Sequence, residues 1–187
     1  MNNYIEYVTS IDYSWFQYIN SHRWYVLDQT MPILTLFGDG ITLLCFMAVL
    51  YLSACSRKRS IALNSFAAYC WVGVLVQIVK YAVHRLRPPA VVPDIHILGP
   101  ALYTNSFPSG HTAAAFAVAT VLASYYPQYR YLLFAIAVLV GYSRIYLGVH
   151  FPLDVLFGAL SGVALGRWVI WYDAKKLIGF RGLLDEK

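Results

Sequence analysis

Two histidines and one aspartate stand where apolar helices are predicted to begin, and their spacing suits nucleophilic and acid–base chemistry. His150 and Asp154 are four residues apart, so both side chains can lie on one face of a helix. The carboxylate could hold one ring N–H and leave the other nitrogen with a free lone pair for nucleophilic attack. His111 stands at the start of another apolar run, where it could protonate a leaving oxygen.

The segment 105–116 places His111 directly after Pro108, Ser109 and Gly110. A helix N-terminus presents unpaired backbone N–H groups and the positive end of the helix dipole, which together attract an anion such as phosphate. Ser109 and the backbone N–H of Gly110 are the candidate donors. The same tetrapeptide is also typical of an ordinary turn followed by an N-cap. Taken alone, the segment leaves both interpretations open.

Three cations, Lys80, Arg87 and Arg144, are expected near the same end of the predicted helices. Lys80 and Arg87 are seven residues apart, so both charges project from one face if the helix continues until Pro88 and Pro89 end it. Three cations without an equal set of carboxylates repel one another unless an anion lies between them. The alternative is that the two helix-end cations extend to lipid headgroups, which is commoner for a single basic residue.

The composition predicts an all-α integral membrane protein of one domain. Of the 187 residues, 59% are hydrophobic and 12% are charged, and the mean hydropathy is +0.56. Soluble domains carry about 25% charged residues. Sixteen tyrosines and five tryptophans suit a protein with two membrane interfaces. The net charge of +5 is therefore attributed to membrane topology, and no nucleic-acid partner is predicted.

We predict five transmembrane helices preceded by an amphipathic helix over residues 1–30. This first helix either lies in the membrane interface or packs on the outer end of the bundle. The bundle covers residues 31–172, and residues 173–187 form a cytoplasmic tail. The predicted spans cover residues 31–54, 61–83, 109–126, 131–147 and 152–172. Residues 56–60 are expected to form a basic loop, and Asp39 is expected near a helix end or facing the bundle.

The distribution of basic residues predicts the orientation in the membrane. Basic residues follow the first, third and fifth spans, which places them on one face, and this face is cytoplasmic by the positive-inside rule. These residues are Arg57, Lys58, Arg59, Arg130, Lys175, Lys176 and Arg181. The connections after the second and fourth spans then face outward and carry the candidate site. The sequence therefore predicts an active site at the periplasmic end of the bundle.

Three segments, taken in order, resemble the signature of the type 2 phosphatidic acid phosphatase superfamily. They are Lys80-x6-Arg87-Pro88, Pro108-Ser109-Gly110-His111 and Ser143-Arg144-x5-His150-x3-Asp154. The resemblance covers residues 80–154 and matches in residue type, spacing and order. It departs at the N-terminus, because many bacterial members have six spans and this chain is predicted to have five.

The resemblance implies a metal-independent phosphatase that works through a phosphohistidine. His150 would attack phosphorus, Asp154 would orient it, and His111 would protonate the leaving group and later activate water. The phosphoryl oxygens would be held by Lys80, Arg87, Arg144, Ser109 and the Gly110 N–H. No cofactor is predicted, because the sequence has no carboxylate cluster suited to Mg²⁺.

The implied substrate is a phosphorylated lipid drawn from the outer leaflet of a bacterial cytoplasmic membrane. We expect undecaprenyl diphosphate first, lipid A second, and phosphatidylglycerol phosphate or phosphatidate third. The segment 90–105 and the N-terminal helix would recognise the lipid. A different interpretation is a non-catalytic lipid-binding or transport protein with a relict site, although five spans without an inverted repeat argue against transport. The sequence predicts no oligomeric state.

Overall fold

The computed structural model describes residues 2–53, 55–99 and 103–185, and the regular elements in these ranges are helical. Two 3₁₀ turns, Thr35–Gly38 and Pro127–Tyr129, join some of the helices. The helices are α1 Asn2–Ser21, α2 Tyr25–Leu34, α3 Gly40–Leu52, α4 Ser56–Val83, α5 Pro88–Val91, α6 Gly110–Tyr125, α7 Arg130–Tyr146 and α8 Pro152–Asp185. Residue 54, the predicted end of the first span, and residues 186–187 of the predicted tail lie outside the described residues.

Helix α6 is the centre of the bundle, and its small side chains let α8 approach closely. Helix α8 carries glycines at positions 158, 162 and 166, spaced four residues apart. A Cβ atom placed on Gly158 would lie 2.6 Å from the carbonyl oxygen of Ser109, and one on Gly166 would lie 2.9 Å from that of Ala117. Helices in membranes associate through such van der Waals contact between small residues. The glycine repeat is therefore a packing feature, and it brings the starts of α6 and α8 together.

Helices α2 and α3 form one bent unit, with an angle of 54° between Tyr25–Gly38 and Gly40–Leu52. Asp39 begins the second part, since its Oδ2 accepts hydrogen bonds from the backbone N–H groups of Ile41 at 3.0 Å and Thr42 at 3.2 Å. The expectation that Asp39 lies near a helix end is confirmed. Gly38 packs against the start of α6, where a Cβ atom would lie 2.7 Å from the carbonyl oxygen of His111.

Helix α1 packs on the end of the bundle near the predicted site. One of its faces is buried and carries Asp12, Phe16 and Asn20, which repeat every four residues. The opposite face is exposed and includes Trp15 and Tyr18. Of the two sequence-based alternatives, the structure supports packing on the bundle.

The prediction of one amphipathic helix over residues 1–30 is wrong, because the helix ends at Ser21 and α2 begins at Tyr25. Contacts with Tyr146 of α7 explain the break. The backbone N–H of Trp24 donates to the Tyr146 hydroxyl at 3.2 Å, and the Arg23 guanidinium donates to the Tyr146 carbonyl at 2.9 Å. These bonds hold the chain away from helical geometry between the two helices.

Helix α4 begins earlier than predicted and ends at Val83, as predicted. The expected basic loop 56–60 is instead the start of the helix, where Arg57 donates to the carbonyl oxygen of Tyr125 at 2.8 Å. The helix ends at Val83, because His84 adopts a left-handed conformation with φ of 50°. The helix therefore does not continue to Arg87, and the condition under which Lys80 and Arg87 would project from one helix face is not met. Helix α8 also differs, since it continues to Asp185 rather than ending near residue 172.

Two helical segments of the described chain are long and apolar enough to cross a membrane, Ser56–Val91 and Pro152–Lys175. The bent pair Tyr25–Gly38 and Gly40–Leu52 would be a third span. Helices α6 and α7 have 16 and 17 residues, fewer than the ~20 that a full crossing needs. The count of five spans stays a prediction.

The close approach of α6 and α8 predicts the effect of enlarging Gly158. We expect Gly158→Ala to lower the stability by about 1–3 kcal/mol, because the added methyl group overlaps the backbone of Ser109. The thermal unfolding midpoint in detergent measures this effect. Gly73→Ala is the matched control, since its added Cβ has no atom within 4 Å and alanine has the higher helix propensity. Equal midpoints for Gly158→Ala and the wild type would contradict the packing argument.

Candidate active site

His150 lies immediately before α8 and is 2% exposed. Its Nε2 lies 3.0 Å from Nη1 of Arg87, and its Nδ1 lies 3.3 Å from Oδ2 of Asp154. A guanidinium can only donate, so Nε2 is the acceptor and the ring proton sits on Nδ1, directed at the carboxylate. Burial lowers the pKa of His150 to about 3, so the ring is neutral near pH 7. This tautomer directs the basic lone pair of Nε2 toward the cations.

Asp154, in the first turn of α8, is fully buried, and both of its carboxylate oxygens are bonded. Oδ2 accepts from the hydroxyl of Ser106 and from the backbone N–H of Phe151, the latter at 2.8 Å. Oδ1 accepts from Nη1 of Arg85 at 2.8 Å. A buried carboxylate with this many donors stays ionised and cannot rotate freely. Asp154 therefore holds the His150 ring in a fixed orientation.

Arg85 and Ser106 are site residues that the sequence analysis did not assign. Arg85 lies two positions before Arg87, in a segment predicted only as a polar connection, and it also pairs with Asp12 of α1. The sequence feature that could have pointed to Arg85 was Asp12, an aspartate on the same helix face as the buried Phe16. The partner of this aspartate lies 73 residues away, so spacing along the chain did not reveal it.

Three further cations lie in the region of His111. Arg87 and Arg144 are 6% and 7% exposed, and Lys80 is half-buried. The charges of all three act on His111, which places them in one region. Within the part of the chain that the structure describes, none of the three forms an ion pair with a carboxylate. The region therefore has an excess of positive charge.

These cations are held by neutral oxygen atoms. Nη1 of Arg87 donates to the carbonyl of Val149 at 3.0 Å, and Nη1 of Arg144 donates to the hydroxyl of Thr35 at 2.8 Å. Lys80 and Asn105 exchange two bonds, one from the Lys80 Nζ to the Asn105 carbonyl at 2.7 Å and one from the Asn105 amide to the Lys80 carbonyl at 2.9 Å. The second bond attaches the loop that carries Asn105 to the last turn of α4.

One donor in this cluster lacks an acceptor. Nε of Arg144 is buried and has no hydrogen-bond partner among the described residues. A buried guanidinium N–H without an acceptor is unfavourable, and an oxygen of a tetrahedral anion would satisfy it. The cation cluster therefore has the chemistry of a phosphate site.

The start of α6 supplies the remaining groups. The backbone N–H of Ser109 donates to the carbonyl of Asp154 at 2.9 Å, and its Oγ accepts from Thr112 at 2.9 Å, which leaves the Ser109 hydroxyl proton for another acceptor. Gly110 begins the helix, where backbone N–H groups have no partner within the helix. His111 follows, with Nε2 4.0 Å from Oδ1 of Asp39. The bend between α2 and α3 thus places a carboxylate beside the second histidine.

The structure brings the sequence-predicted site residues to one end of the bundle, and their individual roles stay predictions. Two carboxylates accompany the two histidines, Asp154 beside His150 and Asp39 beside His111. The bundle, the histidine–aspartate pair and the cations that lack a carboxylate partner among the described residues fit a phosphatase of the membrane-embedded class. The model of the PAP2 superfamily matches residues 61–178, and the chain belongs to this family.

The comparisons with individual proteins agree with this family. The chain is 34% identical over 155 residues to an undecaprenyl-diphosphatase of Sulfolobus acidocaldarius, covering 82% of this chain and 72% of the relative. It is 29% identical over 171 residues to a lipid A 1-phosphatase of Rhizobium etli, covering 79% of this chain and 70% of the relative.

Two solved structures share the fold. The crystal structure of Aquifex aeolicus LpxE matches with a TM-score of 0.78 and 36% identity, covering 85% of this chain and 94% of that one. The crystal structure of a transmembrane PAP2 type phosphatidylglycerolphosphate phosphatase from Bacillus subtilis matches with a TM-score of 0.74 and 29% identity. The match covers 90% of this chain and 87% of that one.

The contacts of Asp154 predict the effect of removing its charge. We expect Asp154→Asn to lower kcat by about 10²- to 10⁴-fold, because the amide cannot stabilise an imidazolium form of His150 and favours the wrong tautomer. KM should change little, since Lys80, Arg87 and Arg144 remain in place. Steady-state kinetics on a lipid phosphate measures both quantities. An unchanged kcat would contradict a functional His150–Asp154 pair.

Proposed function

We propose that this chain hydrolyses the phosphate or diphosphate group of a membrane lipid, through a phosphohistidine on His150 and without a metal ion. One observation carries the proposal. The charges of Lys80, Arg87 and Arg144 act on His111, and those of the two arginines also act on His150. None of the three has a carboxylate partner in the described part of the chain, and the buried Nε of Arg144 lacks an acceptor. A phosphoryl group would supply the missing negative charge and the missing oxygen.

In the first step, Nε2 of His150 attacks phosphorus and the bond to the leaving oxygen breaks. Asp154 keeps the proton on Nδ1 and stabilises the positive charge that develops on the ring. In the structure, Nη1 of Arg87 lies 3.0 Å from Nε2 of His150. As the N–P bond forms, this N–H would turn from the ring to a phosphoryl oxygen. The same contact orients the ring before the substrate arrives.

His111 would act at the leaving group. In its protonated form it gives a proton to the departing lipid oxygen, and in its neutral form it takes a proton from the water that attacks the phosphohistidine. The P–N bond then breaks, and its electron pair returns to Nε2. Asp39, 4.0 Å from His111, would stabilise the protonated form of this ring between the two steps.

The cations and the start of α6 would stabilise the transition state. Phosphoryl transfer spreads negative charge over three equatorial oxygens, so fixed positive groups supply most of the catalysis. Arg87 and Arg144 are buried and need little reorganisation. The Ser109 hydroxyl and the Gly110 N–H would bind a phosphoryl oxygen at the positive end of the helix dipole.

Undecaprenyl diphosphate is the substrate that we propose first. The Sulfolobus relative, named an undecaprenyl-diphosphatase, supports it with 34% identity over 82% of this chain. Lipid A is the second candidate, supported by the Rhizobium relative, and phosphatidylglycerol phosphate is the third, supported by the Bacillus structure. The site residues themselves recognise only phosphate.

We place the site at the outer face of a bacterial cytoplasmic membrane. Arg57 contacts the carbonyl of Tyr125 at the last turn of α6, whereas Gly110 and His111 form the first turn of the same helix. The basic segment and the candidate site therefore lie at opposite ends of the bundle. The positive-inside rule puts the basic end in the cytoplasm, which directs the site outward.

A panel of lipid phosphates tests the activity and the substrate together. Purified protein in detergent with excess EDTA should release phosphate, with the highest kcat/KM on undecaprenyl diphosphate. His150→Ala should lower kcat by at least about 10³-fold, because the nucleophile is lost. The exposed His22 provides the control, and His22→Ala should keep full activity. Full activity of His150→Ala, or a loss in EDTA that Mg²⁺ restores, would contradict the mechanism.

Cysteine labelling in intact cells tests the orientation. Cys45, Cys55 and Cys70 are exposed, so they are first replaced by alanine. A cysteine placed at the exposed position of His96 should then react with a membrane-impermeant thiol reagent from outside. A cysteine at the exposed position of Lys58, in the basic segment, should react only after the cells are opened. The reverse pattern would overturn the proposed orientation.

A further inference from the structure

Helix α1 reaches the buried carboxylate of Asp154 through a chain of two ion pairs. Nη1 of Arg85 lies 2.8 Å from Oδ1 of Asp154, and Nη2 of the same guanidinium pairs with Oδ2 of Asp12. The side chains of both aspartates are buried, and that of Arg85 is 20% exposed. The order of groups from α1 to the histidine is therefore Asp12, Arg85, Asp154 and His150.

Asp12 also holds the backbone beside Asp154. Its Oδ1 accepts from the N–H of Leu153 at 2.8 Å, so one carboxylate bonds both the arginine and the first turn of α8. The Arg85 guanidinium lies over the ring of Phe151 at 4.3 Å, and this ring packs on Phe16 of α1 with centroids 5.2 Å apart. Two ion pairs and an aromatic ring thus fix the position of the guanidinium.

The charges in this chain of groups explain why two carboxylates are needed. Arg85 alone would neutralise Asp154 and weaken its attraction for a positive charge on His150. With Asp12 present, the three groups carry a net charge of −1, so Asp154 keeps an effective negative charge for the ring. A buried Asp12 without Arg85 would be strongly unfavourable, which makes the two residues interdependent.

We infer that Asp12 and Arg85 are positioning residues for Asp154, and that α1 is thereby part of the active site. This inference rests on the proposed function, because it assigns the two residues a task in turnover through His150. Asp12 lies outside the three motif segments, and Arg85 occupies an unspecified position within the first of them. Neither residue is assigned to contact the phosphate, since both terminal nitrogens of Arg85 are bonded to carboxylates.

Kinetics of single and double variants of the full chain in detergent test the inference. Arg85→Met should lower kcat by about 10- to 100-fold, by analogy with the loss when a hydrogen-bond partner of a metal ligand is mutated, with KM nearly unchanged. Asp12→Asn keeps an acceptor for the backbone N–H of Leu153, and it should also lower kcat. Arg85→Lys should restore part of the activity that Arg85→Met loses, because an ammonium retains the charge.

The double variant Asp12→Asn/Arg85→Met distinguishes a connected chain of groups from two independent effects. If Asp12 acts through Arg85, the double variant should have a kcat at least equal to that of Arg85→Met. Compared with Arg85→Met, the kcat of the double variant should even rise, because Asp12→Asn removes the buried carboxylate that has lost its arginine partner. Two effects that multiply in the double variant would overturn the inference.

Arg23→Met is the matched control for a purely structural effect. Arg23 pairs with Asp28 at 2.8 Å and bonds the carbonyl of Tyr146, so it also attaches the N-terminal region to the bundle, away from Asp154. This variant should keep the wild-type kcat even where its unfolding midpoint falls. Inhibition by inorganic phosphate should be unchanged in Arg85→Met. A kcat that falls in both variants in proportion to their unfolding midpoints would overturn a positioning role.

The same measurements separate this inference from the proposed function. An inactive His150→Ala beside an Arg85→Met variant with wild-type kcat would overturn the inference and leave the proposed function standing. A wild-type protein that releases no phosphate from any lipid of the panel would contradict the proposed function, and this inference with it.

Discussion

A carboxylate buried in an apolar helical bundle is stable only when its oxygens are bonded, and Asp154 imposes this requirement on the whole site. Its partners come from separate segments: Arg85 follows α4, Ser106 precedes α6, and His150 and Phe151 precede α8. The hydrogen bonds to this one carboxylate therefore bring the segments after α4, before α6 and before α8 together at one end of the bundle. The histidine acquires its orientation as a consequence of this bonding.

The close packing of small residues makes this gathering possible. The glycine repeat of α8 lies against α6, and at Gly158 the contact is with the backbone of Ser109. The two helix starts are then near enough for the N–H of Ser109 to bond the carbonyl of Asp154 at 2.9 Å. Packing in the apolar middle of the bundle thus sets the distance between the polar groups at its end.

The charge distribution separates a negative part of the site from a positive part. On the side of α1, Arg85 is shared by Asp12 and Asp154, and the group is net negative. On the other side, Arg87 and Arg144 are buried with neutral oxygen partners, and the group is net positive. His150 lies between them, with Nδ1 toward the carboxylate and Nε2 toward the cations. This polarity of the ring suits a nucleophile that gains positive charge while it binds an anion.

The sequence by itself determined the features that depend on short spacing. The pair His150 and Asp154 follows from a separation of four residues in a helix. The three motif segments identified the family. Helix positions were predicted to within a few residues for α6 and α7, because their apolar runs are bounded by Pro127 and by polar segments.

Only the tertiary structure decided the features that depend on distant partners. The break after α1 accompanies bonds to Tyr146 of α7, and the loop after α4 is held by bonds between Lys80 and Asn105. The pairing of Asp12 with Arg85 joins residues 73 positions apart. Periodicity records which face of a helix is apolar, but it carries no information about which distant charge a buried aspartate meets. For that reason the sequence identified the candidate reacting groups, and the fold showed what holds them in place.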